Sequence, residues 1–159
     1  FSYIMDGFAY AGEALAGRYI GANEPSSLER LVKLLFRCGF GFALVFTFLY
    51  GVGGDSFLRL LTNNNQVIVA ADSYFYWVLA IPVVGFSAFL WDGIFVGATQ
   101  TKWMFRSMLI ASAGFFIVYY LLESAWGNHA LWAAFILYLS LRGVILQLFS
   151  KPVLRKAIQ

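Results

Sequence analysis

Long apolar runs alternate with short polar joints along this chain. A helix that crosses a bilayer needs about 20 mostly apolar residues. Five runs qualify: 1–20, 31–52, 74–97 with Pro82 in its interior, 107–122 and 129–149. The joint "GANEPSSLER" predicts a turn, with Glu24-Pro25-Ser26 opening the second helix. In "GVGGDSFLRLLTNNNQ", Gly51, Gly53 and Gly54 are expected to end that helix. Phe57, Leu58, Leu60 and Leu61 then form a short amphipathic turn on the membrane surface, closed by Asn63, Asn64 and Asn65. "ESAWGN" reads as a tight loop in which Asn128 caps the last helix.

Composition sharpens this pattern into a class. The chain is 61% hydrophobic and 12% charged, against about 25% charged in soluble domains. Too little polar surface remains to cover it in water, so it reads as an all-α, polytopic membrane protein whose first partner is the lipid bilayer. The 19% aromatic content suits interfacial belts of Trp and Tyr. The formal charge is +3, with basic residues in scattered short clusters, which is no footprint for nucleic acid. Cys38 is the single cysteine and sits in an apolar run, where it offers neither disulfide nor metal site. The chain opens at Phe1 inside a helix, without the basic segment and cleavage site of a signal peptide. It is expected to be a piece of a longer protein.

Basic residues orient the spans. Arg30, Lys33 and Arg37 follow the first, Lys102 and Arg106 follow the third, and Lys151, Arg155 and Lys156 form the tail. The other two joints carry little positive excess. By the positive-inside rule the basic joints and C-terminus are cytoplasmic, and the N-terminus is extracytoplasmic.

Intramembrane charge supplies the candidate chemistry. Asp6 and Glu13 lie seven residues apart, nearly two helical turns with a drift of about 20°. They share one face with the small residues Ala9, Ala16 and Gly17. An ionised carboxylate at mid-bilayer costs about 2.5–3.5 kcal/mol on insertion scales. Two on one face point to a protein interior or a water-filled cavity and to binding of a cation or proton. The structural alternative places Asp6 at the outer interface and pairs Glu13 with an arginine.

Asp92, in "FLWDGIFVGATQTKWM", has no basic residue one turn away. Pro82 removes a backbone hydrogen bond upstream of it, which suits a cavity-lining helix. Gly85 and Thr99 share its face. Gly93 and Gly97 form a G-x-x-x-G pair that admits another helix at close range. Asp92 is therefore expected to face a cavity shared with the first span, near Glu13. Arg142 lies about 10 Å from the cytoplasmic end of the fifth span, within reach of snorkelling unless it faces Asp92 or Glu13. Arg18 and His129 read as interfacial anchors. The G-x-G of "CGFGFAL" reads as close helix packing. No nucleotide-binding glycine loop, zinc-protease motif, metal-spaced Cys/His cluster or nucleophile elbow occurs, so no cofactor or enzymatic activity is expected.

The stretches "ALAGRYIGANEPSSLERLVKLLF" and "PVVGFSAFLWDGIFVGATQTKWMFRSM" resemble the multidrug and toxic compound extrusion (MATE) family, nearest its bacterial DinF-like branch. In both, a helix ends in a glycine-alanine turn, "YIGAN" or "FVGAT", before a polar joint and a basic start. "FLRLLTNNNQVIVAADSYFYWVLAIP" also looks like that family's outer joint.

The resemblance implies helices eight to twelve of a twelve-helix, two-lobed transporter, so that 1–159 form most of the C-terminal lobe and the N-terminal lobe is a missing partner. It further implies export of organic cations and amphipathic drugs in exchange for sodium or protons, across a bacterial inner membrane. Under it Asp92 falls on the helix that can carry a cation-site aspartate, a place for a sodium ion; where proton coupling lies in the other lobe, as in some DinF-like members, Asp92 is structural or lines the substrate path. Glu13 and Asp6, from the residue reading above, are further candidates. Three rivals remain: a lipid-linked precursor flippase, which would want several cavity arginines; a membrane-embedded transferase, which would need a polar cluster at one interface; and a non-transporting scaffold.

Overall fold

A computed structural model describes residues 1–62 and 64–157. Helices follow one another throughout: α1 (Ser2–Gly21), α2 (Pro25–Leu61), α3 (Asn65–Asp72), α4 (Phe75–Gly97), α5 (Thr101–Trp126) and α6 (Asn128–Ala157). Four contain a stretch long and apolar enough to cross a membrane: Pro25–Gly54, Phe75–Gly97, Thr101–Trp126 and Asn128–Pro152. At 20 residues, α1 is about 30 Å long, but it carries Asp6, Glu13 and Arg18 and is not one of the four.

The second expected span is displaced at both ends. It starts at Pro25, the first-turn position where a missing N–H costs nothing. Ser27 Oγ donates to Glu24 Oε2 at 2.7 Å and ties the turn to the helix start. Nor do the glycines stop it: α2 continues through Gly51, Gly53 and Gly54 to Leu61. In an apolar surround no water competes for the backbone, so the helical bonds persist across glycine. Gly54 also has a packing role, since a Cβ there would overlap the ring of Phe75. The short helix of this joint is α3, opened by Asn64, whose side chain accepts from the Gln66 N–H at 3.0 Å. Asn63 lies outside the described residues, as do the side chains of Phe57, Leu60 and Leu61. Asn128 begins α6 after Gly127, whose φ of 52° is left-handed.

The two glycine-alanine turns share one geometry. After α1, the N–H groups of Ala22, Asn23 and Glu24 donate to the carbonyls of Arg18, Ile20 and Tyr19. After α4, those of Ala98, Thr99 and Gln100 donate to Ile94, Val96 and Phe95. Asn23 and Thr99 take the left-handed conformation that ends such a helix, with φ 57° and 56°.

The core forms where α4 meets α1, α2 and α6, and its buried side chains include Leu35, Leu90, Trp91, Ile94, Phe95 and Leu146. Side-chain register fixes the directions. Gly93 and Gly97 meet Ala9 and Glu13, so α1 runs parallel to α4. Ser87 meets Gly143 and Trp91 meets Gln147, so α6 is parallel as well. Gly39 against Leu90 and Gly54 against Phe75 make α2 antiparallel to α4. Trp103 stacks on Phe149 while Gly114 meets Leu141, making α5 antiparallel to α6. The outward faces are apolar: Leu34, Phe48 and Val52 on α2, and Leu109, Ile117 and Leu121 on α5, are exposed. Outward apolar faces of this extent are suited to lipid.

A membrane-embedded ion pair as candidate functional site

Two faces of α4 carry the expected site residues. The first is the glycine pair. A Cβ at Gly93 would overlap the Ala9 carbonyl, and one at Gly97 the Glu13 carbonyl. A Cβ at Gly17 would come within 3.2 Å of the Gly97 carbonyl. The small stripe of α1 thus lies backbone to backbone against the G-x-x-x-G of α4; the pattern predicted a close helix there without naming which. Ala16 is fully buried there. Of the G-x-G on α2, only Gly39 packs closely; Gly41 has open space beside it.

The second face belongs to Asp92, about 100° around the helix from Gly93. It turns towards α6, where Arg142 Nη2 donates to Asp92 Oδ2 in an ion pair. Gly85, two turns earlier on that face, lies beside Leu139 of α6. The expectation that Asp92 faces α1 near Glu13 is therefore corrected, and of the two readings of Arg142 the structure takes the one in which it faces Asp92. Its partner stands 50 residues away in sequence, and the register places Glu13 against Gly97, about 7 Å further along the axis than Asp92. Arg142 does not snorkel; its side chain is 16% exposed, and that of Asp92 25%.

The pair is only partly satisfied. Asp92 Oδ1 and Arg142 Nε are buried and have no hydrogen-bond partner among the described residues. The Arg142 guanidinium also lies 5.8 Å from the centre of the Tyr138 ring, within the range of a cation–π contact. Asp6 and Glu13 are half-buried, and neither forms an ion pair among the described residues. Pairing of Glu13 with an arginine is thus not found. No three His, Cys, Asp or Glu side chains converge among the described residues, so a sodium ion at Asp92 would draw its remaining ligands from backbone, hydroxyl and water oxygens.

Two contacts escaped the sequence reading. Trp91 Nε1 donates to Gln147 Oε1 at 3.0 Å, one residue from the ion pair. Thr47 Oγ1 of α2 donates to the Leu79 carbonyl at 3.1 Å, in the turn that Pro82 disturbs. A polar residue opposite the turn before an intramembrane proline is a usable signal, because that turn has lost a backbone donor. α4 stays continuous through Pro82, which is buried. At the start of α4 and α6, Trp77 Nε1 donates to His129 Nδ1 at 3.1 Å, and Tyr74 packs on both His129 and Trp132.

A cleft of about 650 Å³ opens between the start of α2 and the end of α6, over Trp91, with Lys33, Lys151 and Glu29 in its lining. A second, of about 370 Å³, lies beside Phe1, Tyr50, Phe75 and Pro82. Asp92 lines neither of these two clefts.

The model of the MatE family matches residues 1–122. The chain belongs to the MatE family. That family is one of transporters, not of enzymes. Over 146 residues the chain is 42% identical to DNA damage-inducible protein F of Escherichia coli (strain K12), covering 91% of this chain and 31% of that protein. Over 144 residues it is 22% identical to Protein DETOXIFICATION 42 of Arabidopsis thaliana, covering 91% of this chain and 28% of that protein. The chain thus spans about a third of the length of these MatE relatives. No solved structure matches it.

Proposed function

We propose that the full-length protein is a cation-coupled antiporter that exports organic cations and amphipathic compounds, and that this chain supplies helices eight to twelve, most of its C-terminal lobe. α1 is then a fifth span, tolerated despite its charges because its small, acidic stripe lies against α4 rather than lipid. The protein sits in a bacterial inner membrane with the N-terminal end of this segment outside and the C-terminal end in the cytoplasm. The alternating helix directions and the basic joints support that orientation.

The observation that carries the reading is Asp92, a carboxylate between two membrane helices with one buried oxygen unpartnered. Alternating access requires a bound cation to favour one conformation over the other. A buried carboxylate provides this, because a bound sodium ion or proton removes the cost of burying its charge. Glu13 and Asp6, on the α1 face, are secondary candidates for the cation path. The Asp92–Arg142 pair also weakens the flippase reading, since Arg142 is already neutralised.

Reconstituting the full-length protein in vesicles tests this reading. An imposed sodium or proton gradient should drive movement of a fluorescent organic cation against its own gradient. Flux that responds to neither gradient would refute it.

A further inference from the structure

We propose that Arg142 is a tethered competitor for the coupling cation at Asp92: the guanidinium occupies the carboxylate when no cation is bound and withdraws towards Tyr138 when one arrives. This rests on the reading above that Asp92 is the coupling residue. A carboxylate in an apolar surround needs a positive partner at every stage of a transport cycle. If its only partner were the transported ion, the empty state would leave an unpaired anion between helices.

The geometry supplies a resident cation with two seats. In the first, Arg142 holds Asp92 by one hydrogen bond, while the buried Oδ1 and Nε have no hydrogen-bond partner among the described residues. A guanidinium placed for permanent pairing would engage both carboxylate oxygens side by side. The second seat is the Tyr138 ring, one turn earlier on α6 and 5.8 Å from the same guanidinium. Moving between them needs side-chain rotation, not helix motion, so the close contact of Gly143 with Ser87 can persist. The helices packed on α4 carry other charged groups, among them Asp6, Glu13 and Arg18 on α1, Glu29, Arg30, Lys33 and Arg37 on α2, Lys102, Arg106 and Glu123 on α5, and Lys151 on α6. None of these makes an ion pair with Asp92 among the described residues.

A neighbouring opposite charge changes a carboxylate's affinity for a proton by about one to three powers of ten. Arg142→Gln in the full-length protein should therefore lower the cation concentration for half-maximal transport by about tenfold or more. The sodium arm reads this directly, and the proton arm reads it as a move to higher pH. Turnover should fall at the same time, because release of the cation loses its competitor. Arg142→Lys keeps the charge and should stay within about threefold of the parent.

A second measurement needs no arginine variant. Modification of Arg142 by phenylglyoxal, read by mass spectrometry, should rise when the parent is saturated with the coupling cation. It should be high without cation in Asp92→Asn, which frees the guanidinium, read on the fraction of that variant that size exclusion shows to be folded. An unchanged half-saturation in Arg142→Gln, a shift in Arg142→Lys as large as in Arg142→Gln, or an Arg142 reactivity indifferent to cation would each overturn the proposal. A parent protein driven by neither gradient would instead mark failure of the antiporter reading itself.

Discussion

Replacing Gly93 with alanine adds one methyl group where α1 and α4 touch through their backbones. Alanine in a helix interior is worth about 1 kcal/mol over glycine, and at an open site that gain is realised. At Gly93 the new Cβ would overlap the Ala9 carbonyl, an atom that cannot rotate away. Overpacking costs about 1–3 kcal/mol, and a backbone obstacle belongs at the upper end of that range. α1 must shift outward, loosening Glu13 over Gly97 and Gly12 against Leu35 and Ile94. The net expectation is a loss of about 1–2 kcal/mol for Gly93→Ala. Gly41→Ala is the control, because no atom lies within 4 Å of its Cβ position and the residue is exposed; it should gain up to about 1 kcal/mol. Thermal denaturation of the full-length protein in detergent, read by fluorescence-detected size exclusion, should thus show opposite signs for the two variants. If Gly93→Ala is as stable as Gly41→Ala, the close α1–α4 contact is wrong.

Two further outcomes follow from the joints. Thr99 is β-branched yet left-handed, a conformation that costs a non-glycine residue about 1–2 kcal/mol; after glycine's entropy cost, Thr99→Gly should stabilise the protein by about 0.5–1 kcal/mol, seen as a raised Tm. Cysteines placed at Ser56 and Lys102 should differ in intact cells, with an impermeant thiol reagent labelling the first and not the second; the reverse would invert the orientation.

The sequence made the membrane class legible because apolar runs of spanning length have no other economical solvent. It also made the α1–α4 contact legible in kind. A stripe of Ala9, Ala16 and Gly17 and a Gly93–Gly97 pair are each surfaces that only a close neighbour can use, and each found the other. The glycines after Tyr50 misled because helix-stop rules describe chains whose backbone can turn to water. At the end of α2 the helix runs on through all three, and Gly54 serves instead as a packing position against the ring of Phe75.

The Asp92–Arg142 pair was hidden by its separation of 50 residues. Local reading correctly found no cation one turn from Asp92, but neighbours across helices depend on depth and rotation. Depth was available: Asp92 lies five residues before the end of α4 and Arg142 seven before Phe149, about 7 and 10 Å from the same side. Rotation was not, and it decides that Asp92 looks towards α6 while Gly93 looks towards α1.

The pair also alters how the carboxylate must be tested. Asp92→Asn alone leaves Arg142 charged and buried, and breaking a buried pair from one side costs about 3–5 kcal/mol, so lost activity could reflect lost folding. Asp92→Asn combined with Arg142→Gln is neutral, keeps the shape and retains hydrogen-bonding groups on both helices. The deciding measurement is gradient-driven efflux of an organic cation from vesicles containing this double variant, after size exclusion shows it folded, beside the parent and Glu13→Gln. If Asp92 couples cation movement to export, the folded double variant loses efflux under sodium and proton gradients alike, while Glu13→Gln retains part of it. Parent-like efflux by the double variant, with loss in Glu13→Gln, would contradict the account and leave Asp92 and Arg142 as a structural bolt between α4 and α6.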